Sequence, residues 1–394
     1  MKKQHVLIAI ALFAASLNLR PAINSIAPLL DSIRTDLGMS GAVASLLTSI
    51  PVLCMGLFSP LAVKAGGKWG IEKVMGVSLL IIAVGTAIRV FTNSVFYLLV
   101  TALIAGIGIA LIGPLLAGFI KKYFPKQVPS MIAVYTVALT LGATFSSAFS
   151  TPLQNSFDSW QLSLASWAIV AIVAAVLWWS FVRPNDTSLN AAAGTTNVKL
   201  PWGNSKAWIL MLSFAFMAML FYSFTAWLPQ IIQGMGYSKS YAVMSLTLFV
   251  VIQIPVSLLM PLLLKRFPSR RLWLVASAFL ELVGLLLLIL NVEPAVAASF
   301  IGIGAGGLFP LNLLLPIDVT TSAQEAASWS AMVQSAGYVI GAAGPILLGR
   351  IHDATGSFAS AIVGMMVIVL LMIIVQFAVT ATKRKAMNAV LQSR

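Results

Sequence analysis

Arg20 sits inside VLIAIALFAASLNLRPAINSIAPLL, a 25-residue run at 6–30 that holds no other charge. Its guanidinium is a permanent cation with donors set in a planar fork, matched to a carboxylate, a nitro group or a small anion. At membrane depth an arginine costs about 2.5–3.5 kcal/mol even on the lenient insertion scale, so a partner or a wet cavity has to compensate it. Ser16 and Asn24 stand four residues to either side and would share its face of a helix, forming a polar stripe in an apolar segment. Pro21 follows at once, removing a backbone donor and loosening the helix beside the charge.

Other polar groups lie in equally apolar surroundings. Tyr222 and Trp227, Asn312, Gln334 and Tyr338 offer hydrogen bonds inside long hydrophobic runs, and are candidate contacts to a ligand or between helices. Glu281 is the carboxyl group placed near the middle of such a run, which makes it a candidate carrier of a coupling proton. The one cysteine, Cys54, and two histidines, His5 and His352, supply too few soft ligands for a metal or redox centre, so neither metal nor cofactor is expected. No paired carboxylates and no nucleophile with a nearby base occur in the apolar runs, which argues against an enzyme. The runs GIGIALIGP and GIGAGGLFP lack the strand and βαβ unit of a nucleotide loop and read as close helix packing through small residues.

The elements that hold these groups are helices crossing a bilayer. Of 394 residues, 60% are hydrophobic and 9% charged, a balance that a soluble core of this size cannot absorb. Twelve apolar stretches, from 6–30 to 357–379, each approach the roughly 20 residues a spanning helix needs. The net charge of +14 is distributed between these stretches rather than gathered on a polar domain, so nucleic acid is not an expected partner. Scoring alternate connections puts 19 Lys and Arg on one side and 4 on the other, Arg34, Arg89, Lys239 and Arg350. By the positive-inside rule both termini are cytoplasmic.

The polar interval 183–206 falls near mid-chain and reads as a cytoplasmic linker between two six-helix bundles, 1–182 and 207–394. The bundles read as repeats. Pro28 and Pro229, Pro60 and Pro261, and Lys64 and Lys265 are each 201 residues apart, while Gly106, Gly108 and Pro114 match Gly302, Gly304 and Pro310 at 196. Duplication of this kind favours a transporter. At the offset of 201, Arg20 and Pro21 correspond to Phe221 and Tyr222, a cation in one half and an aromatic pair in the other. Gly337, Gly341 and Gly344, with Pro345, give one run a smooth face and a weak point suited to bending. Trp178 and Trp179 lie close to the end of their stretch and are expected as interfacial anchors.

The fold class expected is therefore an all-α membrane protein of twelve helices in two pseudo-symmetric bundles. That plan resembles the major facilitator superfamily. NLRPAINSIAPLL at 18–30, SPLAVKAGGKWGIEKVM at 59–75, GTAIRVF at 85–91, AWLPQII at 226–232 and MVQSAGYVIGAAGPILLGRIHDATGSF at 332–358 resemble its cyanate and nitroimidazole transporter branch. The resemblance implies a bacterial inner-membrane secondary transporter working by alternating access, with helices one, four, seven and ten lining the cavity. The residues themselves point to a small anionic or strongly polar organic substrate, bound by Arg20 and Asn24 together with Phe221, Tyr222, Trp227, Asn312, Gln334 and Tyr338. A monomer is expected, with protons the candidate coupling ion through Glu281. In the superfamily's gating loop the usual acid is replaced by Val63 ahead of Lys64; Lys68 and Lys73 follow, and Glu72 is the substitute acid. The alternative reading is a proton-coupled exporter of drugs or metabolites. A reporter fused at Asn190 is predicted to read cytoplasmic and one inserted at Asp158 external; reversal at either position would break the twelve-helix register.

Overall fold

A computed structural model describes residues 3–39, 41–182 and 199–392. Most of the expected linker, 183–198, lies outside the described residues. Among the described residues, twelve helices are long and apolar enough to cross a membrane, numbered here in chain order: α1 (Gln4–Leu29), α2 (Ser49–Trp69), α3 (Ile71–Phe91), α4 (Val95–Tyr123), α5 (Val128–Phe157), α6 (Trp160–Phe181), α7 (Ser205–Gly234), α8 (Lys239–Arg266), α9 (Arg270–Ile289), α10 (Pro294–Asp318), α11 (Ala323–His352) and α12 (Phe358–Val379). Helices are the natural solution here, because hydrocarbon offers the backbone no partner and a helix satisfies its own amides. The residues divide into two compact units, 1–200 with 319–335 and 201–318 with 336–394.

Within the first unit, α3 and α4 cross so closely that only glycine fits at the contact. A Cβ on Gly85 would lie 2.7 Å from the Ala105 amide nitrogen, and one on Gly108 would lie 2.8 Å from the Ser78 carbonyl oxygen. Gly106 on the same helix lets α2 approach, with Pro51 Cα 2.9 Å from where a Cβ would stand. The second unit repeats this scheme with α9 and α10. There Gly284 faces the Ala297 carbonyl at 2.8 Å, Gly304 faces the Ser277 carbonyl at 2.5 Å, and Gly302 faces the Phe249 carbonyl of α8 at 2.6 Å. Gly85 and Gly284, like Ser78 and Ser277, are 199 residues apart, and Gly108 and Gly304 are 196 apart, so the repeat seen in the sequence is also a repeat of contacts. Lipid gives no hydrophobic drive for helix association, and close backbone approach through small residues supplies the dispersion contacts instead.

Several helices are interrupted. α11 breaks between Gly341 and Ala343, and its smooth face lies on α7, with Gly337 against Phe214, Gly341 against Ala218 and Gly344 against Met219. α8 is two helices meeting at Ile252, and α3 ends in a tight 3-10 turn, Ile88–Phe91. Trp178 is not an interfacial anchor. It is fully buried, because Gly76 opens a slot for the two adjacent indoles, and its N–H donates to the Glu72 carbonyl at 2.9 Å. Trp179 beside it is 41% exposed.

Candidate functional site

The first unit holds Arg20 at an interruption of α1. Regular helix runs from Lys3 to Leu17, three residues of turn follow, and a short helix restarts at Pro21–Asn24 with Arg20 as its N-cap. Pro21 has no N–H to continue the ladder, so the Leu17 carbonyl four residues back loses its helical donor. Room for this irregular turn comes from α5, where any side chain at Gly142 would run into the Leu17 carbonyl oxygen. Downstream the chain is held by Ser147 of α5, whose hydroxyl donates to the Asn24 carbonyl at 3.2 Å.

The polar stripe expected from four-residue spacing takes a different form here, since an interrupted helix does not keep one face. Ser16 turns back to the Leu12 carbonyl at 2.6 Å, Arg20 is partly buried, and Asn24 is partly buried beyond the break. Sequence reasoning missed Asn18. It is 1% exposed, and its Nδ2 has no acceptor among the described residues. Its signal was available, as an amide two residues before Arg20 in an apolar run. Gln334 also belongs to this unit, buried on α11 with its Oε1 2.9 Å from where a Gly113 Cβ would stand.

In the second unit, α7, α10 and α11 bring together most of the aromatic and amide candidates. Phe221 and Tyr222 are both partly buried and meet edge to face at 5.7 Å, with Phe249 of α8 6.0 Å from Phe221. Tyr338 is 4% exposed and stands perpendicular to Phe214 at 5.1 Å. Asn312 is bonded on both sides: its Oδ1 accepts from the Ser213 hydroxyl at 2.7 Å, and its Nδ2 donates to the Leu308 carbonyl at 2.9 Å. It therefore braces α7 against α10. Trp227 donates to the Pro345 carbonyl at 3.0 Å and lies 5.8 Å from His352 and 6.5 Å from Phe358, so its one donor is committed to holding α11. Glu281 is not with this group. It is 2% exposed on α9, its side chain lies against Gly304 of α10, and its Oε2 has no partner among the described residues.

Of the gating candidates, Glu72 enters an ion pair, and a second pair stands at the corresponding place in the other unit. Glu72 at the start of α3 binds Lys122 at the end of α4 at 2.5 Å and accepts from the Tyr123 hydroxyl at 2.9 Å. Lys64, Lys68 and Lys73 are exposed, and Lys68 lies 5.3 Å over the Trp69 ring. In the second unit Arg270 at the start of α9 binds Asp318 at the end of α10 at 2.9 Å. The pairs correspond at offsets of 198 and 196 but with the charges exchanged. Glu325, four residues beyond Thr321, caps its own helix by accepting from the Thr321 and Ser322 amides, while the Ser322 hydroxyl accepts from the Glu325 amide.

Twelve spans, two sets of matching helix crossings, and polar groups at interrupted helices define a duplicated secondary transporter rather than an enzyme. The chain belongs to the Major Facilitator Superfamily, whose model matches residues 6–342. It is 33% identical over 377 residues to the 2-nitroimidazole transporter of Escherichia coli (strain K12), covering 95% of each chain. It is 32% identical over 375 residues to the cyanate transport protein CynX of the same organism, covering 92% of this chain and 96% of that one. The fold is similar to that of the transporter FucP in the outward conformation, with a TM-score of 0.78 at 14% identity, covering 96% of this chain and 99% of that one.

The ion pairs yield a prediction from their burial. Glu72 is 4% exposed and serves two donors, so Glu72→Ala leaves both the Lys122 ammonium, 17% exposed, and the Tyr123 hydroxyl without their acceptor and should cost about 2–3 kcal/mol. Asp318 is 20% exposed, and Asp318→Ala should cost under about 1 kcal/mol. Denaturant titration of the two variants in detergent measures the difference, and equal losses would refute the assignment.

Proposed function

We propose that this transporter moves a small anionic or strongly polar organic solute across the bacterial cytoplasmic membrane by alternating access, with Arg20 as the group that binds it. The observation that carries the reading is Arg20 at the interruption of α1, partly buried and next to the buried amide of Asn18. A fork of charged donors beside released backbone suits a cyanate-like anion or a nitro-heterocycle, the solutes named for the two relatives. Aromatic and amide groups from Phe221, Tyr222, Asn312, Gln334 and Tyr338 complete the recognition, with Asn24 close to the cation in sequence. The working parts are two six-helix bundles, 1–182 and 207–394, joined by the linker 183–206. The protein acts as a monomer with both termini in the cytoplasm, in keeping with the 19-to-4 distribution of positive residues.

A second reading, a proton-coupled exporter of drugs or metabolites, draws on Glu281, a buried carboxyl with an oxygen lacking a partner among the described residues. Uptake into proteoliposomes, with cyanate and 2-nitroimidazole as probes, distinguishes the two. Arg20→Lys keeps the charge and loses the fork, and should lower uptake by about tenfold or more. Tyr222→Ala should weaken binding without unfolding the protein, and Glu281→Gln should leave the rate and its pH profile unchanged. Wild-type uptake in Arg20→Ala would place the site elsewhere, and a flat pH profile in Glu281→Gln would favour the exporter.

A further inference from the structure

Arg89 lies at the end of α3 in the 3-10 turn Ile88–Phe91, and it is fully buried. None of its three guanidinium nitrogens has a hydrogen-bond partner among the described residues. The hydroxyls of Thr86 and Thr92 share this condition, at 1% and 5% exposure. Thr86 and Thr92 stand three residues to either side of Arg89, one in the last turn of the regular helix and the other as the extended C-cap of the 3-10 turn. The result is a small enclosed cluster rich in donors and short of acceptors.

Among the described residues, no acid on the elements packed against this turn is placed to neutralise it. The elements packed on this turn are α3 itself, α4 and the Trp160–Ser166 turn of α6. Among them the one carboxylate is Glu72, 17 residues away along α3, about 25 Å at helical rise, and it is already paired with Lys122. The nearby polar groups are committed as well. Tyr97 donates to the Ile88 carbonyl at 3.2 Å, while Asp36 accepts from the Trp160 indole at 2.9 Å and from Gln161 at 3.4 Å. An isolated cation in such a place is too costly to hold without a counter-charge.

We infer that Thr86, Arg89 and Thr92 form a binding site for a small singly charged inorganic anion, with chloride the fitting representative, held where α3, α4 and α6 meet. The full burial of all three side chains limits the ligand to a few atoms, and a single guanidinium balances a single negative charge. The anion supplies the missing acceptor to both hydroxyls and the fork, and so ties the end of α3 to its neighbours. The inference is independent of the substrate reading, which concerns α1.

The test is thermal unfolding of the purified protein in sodium chloride and in sodium gluconate at equal ionic strength, gluconate being too large to enter. The wild type should unfold a few degrees higher in chloride, with a saturable dependence on its concentration. Arg89→Met should abolish that dependence and Arg20→Ala should retain it. If Arg89→Met does not fold, Thr86→Val combined with Thr92→Val should demand about tenfold more chloride for the same shift. Equal wild-type midpoints in the two salts would overturn the inference. So would an undiminished chloride response in the folded variants of this cluster, or its loss in Arg20→Ala, which would put the anion at α1.

Discussion

A carbonyl of one helix resting on a glycine of the next is the contact on which this structure depends. It occurs where Ser78 meets Gly108, where Ser277 meets Gly304, and where Leu17 meets Gly142. Each leaves no room for a Cβ, so each fixes how deeply two backbones approach. In lipid this matters more than in water, because apolar side chains gain little by leaving one hydrocarbon environment for another. Two of these contacts set the frames, one in each unit. The third serves the proposed site, because it accommodates the irregular turn that carries Arg20.

The site follows from that frame through a local conflict. A proline directly after an arginine, within a membrane-spanning run, prevents α1 from continuing, and the backbone left unpaired must face something polar or be covered by protein. α5 covers part of it at Gly142 and Ser147, and Arg20 and Asn18 occupy the rest of the turn. The second unit is organised differently. There the amide of Asn312 and the indole of Trp227 are bonded within the protein, while Phe221 and Tyr222 meet edge to face at 5.7 Å. The charge-exchanged pairs Glu72–Lys122 and Arg270–Asp318 show the same divergence from a common plan.

The twelve spans were legible in the sequence because helix length and hydropathy are local properties, and the duplication was legible because glycines and prolines keep their spacing. Partners across helices were not legible. Glu72 read as the substitute acid of the gating loop, and its partner, Lys122, 50 residues away, follows from the packing of α3 on α4. Trp178 read as a surface anchor from its position near a helix end, whereas the face it occupies looks onto Gly76. Arg89 counted with the charges at helix ends and is in fact enclosed, because the 3-10 turn tucks it beneath α6. At α1 the weak point was readable from Pro21, but the interruption of the stripe between Ser16 and Asn24 depended on contacts with α5 that no local pattern reveals.

The central claim is that the interrupted turn of α1 presents the substrate-binding arginine, and Gly142→Ala addresses it most directly. One methyl group there collides with the Leu17 carbonyl and forces the turn to move, while Arg20 itself is untouched. Affinity for the solute that stabilises the wild type, read by the shift it produces in the unfolding of purified protein, should fall roughly tenfold or more with helical content retained. Wild-type affinity in a folded Gly142→Ala variant would contradict the account.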